Sequence, residues 1–168
     1  MLLRPARPDE VHLAVAIDDD ASELYAAAGL ALRFPEEHPF VQAERARWLR
    51  CAENGSLWFA VEGDVVAGFA AIEHLDGTAH LEQLSVRRDF ARRGIGAALL
   101  RHAIEEARGP LTLTTYAHVP WNAPWYARMG FVRLDETTLG PALRDRMTEE
   151  RAVLPMPEQR VAMRRSVV

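Results

Sequence analysis

Two arginines followed by a glycine pair, Arg92-Arg93-Gly94-Ile95-Gly96-Ala97, form the most chemically specific spacing in the chain. They stand after a predicted strand and loop and directly before the strongest helical run, in which Leu99, Leu100, Ala103, Ile104 and Ala107 share one face. Glycines let the main chain approach a ligand, the first turn of a helix leaves N–H groups without carbonyl partners, and guanidinium groups attract anions. A pyrophosphate would fit such a place. Taken alone, the same glycine pair also suits an ordinary loop-to-helix junction that binds nothing. The third glycine of a dinucleotide fingerprint is missing, and so is the lysine of a nucleotide-binding P-loop.

Composition narrows the chemistry further. All 20 Lys+Arg positions are arginine, which excludes mechanisms built on a lysine nucleophile. With 168 residues, 49% hydrophobic, the chain supports one respectable core and one domain. A net charge of -4 gives no general electrostatic reason to approach nucleic acid. Cys51 is the single cysteine, so no internal disulfide and no cysteine-rich zinc cage can form, and a reducing cytoplasm is the expected location. No signal peptide and no run of membrane-spanning length is expected.

The elements that must position the loop follow from periodicity. Residues 9–52 read as two helices separated by the proline-bounded segment from Phe34 to Phe40. Leu57–Val61, Val65–Ile72 and Ala79–Val86 are strand runs punctuated by Glu62-Gly63-Asp64 and Asp76-Gly77, which predicts three antiparallel strands in a meander. After the glycine loop come the amphipathic helix, stopped by Gly109-Pro110, a strand at Leu111–Tyr116 and a short helix from about Asn122 to Met129, closed by Gly130. Phe131–Leu134 resumes strand character, Pro141–Ala152 reads as a polar helix, and Arg160–Arg164 is the last strand candidate. The fold class is a mixed α/β (α+β) single domain.

Three segments, in this order, resemble the GNAT superfamily of N-acetyltransferases: Leu81-Glu82-Gln83-Leu84-Ser85-Val86, then Arg92-Arg93-Gly94-Ile95-Gly96-Ala97-Ala98-Leu99-Leu100, then Asn122-Ala123-Pro124-Trp125-Tyr126-Ala127-Arg128-Met129-Gly130-Phe131. The match runs from about Leu57 to Leu134 and fades over the first helices and the tail. It departs from the family pattern at Ala91, where Arg or Gln is favoured. The resemblance implies a central, mostly antiparallel twisted sheet flanked by helices, with acetyl-coenzyme A as cosubstrate and an amine as acceptor in direct ternary-complex transfer. It implies that the main chain of Leu84, Ser85 and Val86 pairs with the pantetheine arm, that the amides of Arg92, Arg93, Gly94, Ile95, Gly96 and Ala97 hold the pyrophosphate, and that Asn122 lies near the pantetheine. A non-catalytic acyl-coenzyme A-binding module, or transfer of a larger acyl group, also fits these residues. The resemblance admits a homodimer, and the acceptor is a small-molecule or peptide amine.

By the same resemblance Tyr126 matches the tyrosine that faces the sulfur, and a phenol is a suitable acid for a departing thiolate. The alternative is a core tyrosine beside Trp125. Glu82 is the candidate general base, because a carboxylate inside an apolar strand can be raised in pKa. A solvent-facing residue, or an anion that only binds the amine, is its alternative reading. Thr114 stands where some family members carry a glutamate base. His80, Tyr116, His118 and Trp121 could line the acceptor pocket or merely pack, and no metal site is expected. The acidic cluster Asp18-Asp19-Asp20, followed by Glu23, could attract a cationic acceptor, but it also reads as a solvated helix start, the favoured reading.

Overall fold

Gly63 and Gly77 adopt positive φ, 59° and 74°, a region that suits residues without a Cβ, and each closes one of the expected hairpins. The computed structural model describes residues 1–167. Its elements are β1 (Leu2–Pro5), α1 (Val11–Ala27), α2 (Pro39–Glu53), β2 (Leu57–Glu62), β3 (Val65–Leu75), β4 (Thr78–Val86), α3 (Ile95–Ala107), β5 (Leu111–Tyr116), α4 (Ala123–Arg128), β6 (Val132–Arg133), α5 (Pro141–Val153) and β7 (Arg160–Arg165).

One seven-stranded sheet runs β1-β2-β3-β4-β5-β7-β6. All neighbours are antiparallel except β4 and β5, which α3 connects as a crossover. The alternation of strand side chains divides the core in two. On one face α3 buries Leu99, Leu100 and Ala103 against Leu81, Leu113, Val161 and Met163, and Tyr126 and Phe131 join that cluster. On the other face Ile17 of α1 and Trp48 of α2 pack on Leu57, Phe59 and Phe69, and α5 seats Leu143 and Met147 on Ala162. Each fully buried large side chain contributes about 1.5–3 kcal/mol relative to exposure.

Differences from the sequence reading are local. β1 was not expected, and it adds an edge strand beside β2 with Leu2 opposite Val61. The strand at residues 131–134 shrinks to Val132–Arg133, because Phe131 turns into the core at 2% exposure. Asp18, Asp19 and Asp20 fall in the middle of α1 rather than at its start, and two of them face the sheet and its loops. Among the described residues no helix is long and apolar enough to cross a membrane.

Candidate active site

β4 and β5 begin as a paired parallel ladder and then separate. The register runs Ala79↔Leu111, His80↔Thr112 and Leu81↔Leu113, and stops there, although β4 continues to Val86 and β5 to Tyr116. The cause lies in β4 itself. Against β3 the register jumps from Ala71↔Gln83 to Ile72↔Leu81, so Glu82 is an extra residue, a bulge that bends its strand. Beyond the bulge, Leu84, Ser85 and Val86 pair with β3 on one side and have no ladder partner on the other. The result is a fork inside the sheet, with an unpaired main-chain edge along β4.

The glycine loop lies at the open end of this fork. Arg92 and Gly94 take positive φ, 59° and 82°, which turns the chain sharply just before α3 begins. The amide of Ala98 donates to the Gly94 carbonyl at 3.0 Å, while those of Arg92, Gly94, Ile95, Gly96 and Ala97 donate to no carbonyl among the described residues. Ile95 is buried and anchors the turn, whereas Arg92 and Arg93 are exposed. Arg93 rests over the Phe90 ring and approaches Glu62 at 3.8 Å, so its guanidinium is only loosely held. Gly68 of β3 keeps the floor tight, because a Cβ there would meet the Ser85 carbonyl oxygen at 2.9 Å.

Glu82 points into the α1/α2 face with its side chain 3% exposed, which rules out a solvent-facing role. Arg47 Nε donates to Oε1 at 2.8 Å, Trp48 Nε1 donates to Oε2 at 2.6 Å, and Arg146 stands 3.7 Å away. Burial pushes its carboxyl up to about 7, and the two arginines and the indole oppose that rise. Gln83, on the same face because of the bulge, and Ser85 both donate to Asp18 Oδ1 at 2.7 Å. Burial raises the Asp18 carboxyl to about 6.

Asn122 precedes α4 and closes the far prong of the fork. Its Oδ1 accepts from the Tyr116 amide at 3.3 Å and its Nδ2 donates to the Tyr25 hydroxyl at 2.8 Å, so it joins β5 to α1. Pro124 starts the short helix, and Tyr126 follows at 9% exposure between Trp125 and Phe131. The Tyr126 hydroxyl makes no hydrogen bond with the described residues, and burial pushes its pKa further up, which keeps the proton on the oxygen. A Cβ built on Gly96 would lie 3.8 Å from Val86 and 4.0 Å from Trp125, which brings the loop, the end of β4 and α4 together.

Several polar residues of this site were not singled out from sequence. Glu150 of α5 accepts from the Thr114 hydroxyl and from Arg160, both at 2.7 Å, so a carboxylate does reach Thr114, from another element. The stripe Leu143, Arg146, Met147, Glu150 is buried at helical spacing, and polar members of an apolar stripe were the available signal. Asp18, which the sequence reading placed at a solvated helix start, instead shares a face with buried Ala14 and Ala21. His80 is a packing residue, bonded to Thr112 at 2.8 Å and lowered by burial to about 3. Trp121 is 40% exposed against Tyr25, and Cys51 is a buried free thiol that burial raises to about 11.

Comparison with known proteins agrees with this arrangement. The profile of the acetyltransferase (GNAT) family matches residues 15–131, well over half of the chain. Among solved structures, an acetyltransferase of the GNAT family from Staphylococcus aureus Mu50 superposes with a TM-score of 0.71 at 12% identity, over 99% of each chain. Rv2747 from Mycobacterium tuberculosis, in complex with CoA and NLQ, gives 0.69 at 15% identity over 100% of both chains. N-acetylglutamate synthase from Neisseria gonorrhoeae, complexed with coenzyme A and N-acetyl-glutamate, gives 0.67 at 16% identity; 99% of this chain is covered, but it spans only 35% of that one. At such identities these likenesses establish the fold, and the profile match establishes the kinship: the chain belongs to the acetyltransferase (GNAT) family.

Proposed function

We propose that the fork and the glycine loop hold acetyl-coenzyme A and that the chain passes its acetyl group directly to an amine. The observation that carries this reading is the interior gap: an unpaired β4 edge that leads to the amides of Arg92, Gly94, Ile95, Gly96 and Ala97, which have no carbonyl partner among the described residues, at the head of α3. The amides of Arg92 to Ala97 suit a pyrophosphate, and the edge from Leu84 to Val86 suits an extended amide-bearing arm. Asn122 holds the opposite prong in place through the Tyr116 amide. When bound, the cosubstrate supplies a thioester carbonyl open to nucleophilic attack.

The protein's part is proton management. An aliphatic amine is cationic near neutrality and must lose a proton before it attacks. Glu82, raised to about 7, is matched to receive that proton directly or through water. Tyr126, protonated and without a hydrogen-bond partner, is free to give its proton to the thiolate that leaves. One N–C bond forms and one C–S bond breaks; of the two protons the ammonium loses, the first passes to Glu82 and the second, shed by the tetrahedral adduct, restores the phenol of Tyr126 that protonated the thiolate.

The net charge of -4 supports a small-molecule or peptide amine as acceptor, with neither nucleic acid nor a membrane surface as partner. The free, buried Cys51 suits the reducing cytoplasm, and by family resemblance two copies assemble as a homodimer. Calorimetric titration with acetyl-coenzyme A, followed by free-thiol release across a panel of amines, tests the reading. Saturable binding with amine-dependent release is expected. Binding without release from any amine would assign the chain to a cosubstrate sensor instead.

A further inference from the structure

The carboxylate of Asp76, in the turn between β3 and β4, accepts the amides of Ala142 and Leu143 at 2.9 and 3.0 Å and so caps the start of α5. That cap ties α5 to the hairpin that carries Glu82, and the buried stripe of α5 brings Arg146 to within 3.7 Å of Glu82 Oε1. The bulge at Glu82 fixes which β3 residue lies beside it. One pair beyond Ile72↔Leu81 the register sets Glu73 opposite His80, and Glu73 reaches the same guanidinium.

Arg146 therefore stands between two carboxylates. Its Nη1 donates to Glu73 Oε1 at 2.7 Å, whereas Glu82 Oε1 is beyond hydrogen-bond reach. The side chain of Glu73 keeps 18% exposure at the wall of a cavity of about 410 Å³, against 3% for Glu82, so the competitor for Arg146 is the better hydrated anion. Its allegiance matters because cations are scarce on this face. Arg47 and Arg146 serve Glu82, the carboxylates of Asp18, Glu44 and Glu73 gather around the same pair, and Glu150 has Arg160 of its own at 2.7 Å. His80 of β4 and Cys51 of α2 stay neutral near pH 7, the imidazole lowered by burial to about 3 and the thiol raised to about 11. Were both guanidiniums in contact, Glu82 would be clamped as an anion that takes no proton from an ammonium.

We infer that Glu73 is a positioning residue: by keeping the Arg146 guanidinium to itself, it holds that cation off Glu82 and leaves Glu82 able to accept the proton of the acceptor amine. Arg47 alone then grips and orients the base, through one hydrogen bond at 2.8 Å. This inference rests on the acetyl-transfer reading above, with Glu82 as base, and adds the residue that tunes it from a neighbouring strand.

The test follows the acid limb of kcat/KM by free-thiol release, with acetyl-coenzyme A and the best-used amine of a panel that includes butylamine, diaminobutane and glycinamide. The ionisation of the amine is common to every variant and drops out of the comparison. Glu73→Gln should move the midpoint down by about one pH unit or more, because Arg146 then closes on Glu82. A merely loosened fold lowers the rate at every pH and moves no midpoint. Arg146→Gln should move it up, and in that background Glu73→Gln should keep less than about half of its effect, the coupling that action through Arg146 requires. If Glu73→Gln does not fold, Glu73→Asp, which retains the charge but stops short of Arg146, is read in the same way. An unmoved midpoint, or a downward move undiminished without Arg146, overturns the role of Glu73 and leaves acetyl transfer standing. No release from any amine, with acetyl-coenzyme A bound by calorimetry, overturns acetyl transfer itself and the inference with it.

Discussion

Arg47 Nε donates to Glu82 Oε1 at 2.8 Å, so the carboxylate suited to accept a proton is already paired with a cation. Two opposed influences therefore set its titration: burial raises it to about 7, and Arg47 limits the rise. The kcat/KM should climb with pH through about 7, and Arg47→Met should move that midpoint upward, while Glu82→Gln abolishes the limb. Stability has the opposite sign. A carboxyl raised from 4.5 to about 7 in the folded state adds stability that is complete below 4.5 and lost as pH rises through 7. Removal of Arg47 leaves a buried charge uncompensated and should cost about 3–5 kcal/mol above neutrality, less in acid, measured by denaturant melts at both ends.

Tyr126 offers a cleaner substitution. Its ring is locked between Trp125 and Phe131, and its hydroxyl bonds to nothing among the described residues, so phenylalanine fits the same space. Tyr126→Phe should leave the melting temperature and the affinity for acetyl-coenzyme A unchanged while kcat drops ~10²-fold or more, the scale of a lost general acid. Undiminished turnover would remove the phenol from the chemistry.

Gly68 tests the floor of the fork without touching a titrating group. A Cβ would sit 2.9 Å from the Ser85 carbonyl oxygen and 3.2 Å from both Leu99 and Val86, so β4 must yield. Gly68→Ala should destabilise by about 1–3 kcal/mol, as overpacking does, and weaken acetyl-coenzyme A binding through the displaced edge. Thermal denaturation and calorimetry on the same sample check both.

His80 predicts an acid-sensitive fold. Its imidazole is held neutral down to about 3, whereas the unfolded chain takes up the proton near 6.5. Stability is therefore present above 6.5 and falls as pH drops toward 3, by at most about 1.4 kcal/mol per pH unit. The raised carboxyls of Glu82 and Asp18 stop opposing this slope only below their ordinary values, 4.5 and 3.8. His80→Asn, which keeps a polar group toward Thr112 and cannot titrate there, should flatten it in urea melts taken across that range.

The hairpins, α3 and the glycine loop were legible because their signals are local: Gly63 and Gly77 at turns, an apolar stripe every third or fourth residue, amides freed by a helix start. The polar face of the site was not, because it is assembled from five elements far apart in sequence. Glu82 meets Arg47 across 35 residues, Asp18 meets Ser85 across 67, and Thr114 meets Glu150 across 36. No window of sequence shows that Asp18 and Glu150 face the same sheet surface. The short β1 escaped for another reason: four residues ending in proline carry almost no alternation to read.

The separation of β4 from β5 places naked strand edges at the centre of the sheet, with α3 over one face and α1 over the other. Bare edges at a border invite any passing polypeptide to add on and seed aggregates. Walled above and below, the same hydrogen-bonding capacity becomes a sieve: a slender flexible chain can thread it, whereas another protein's strand, with side chains projecting up and down, is turned away.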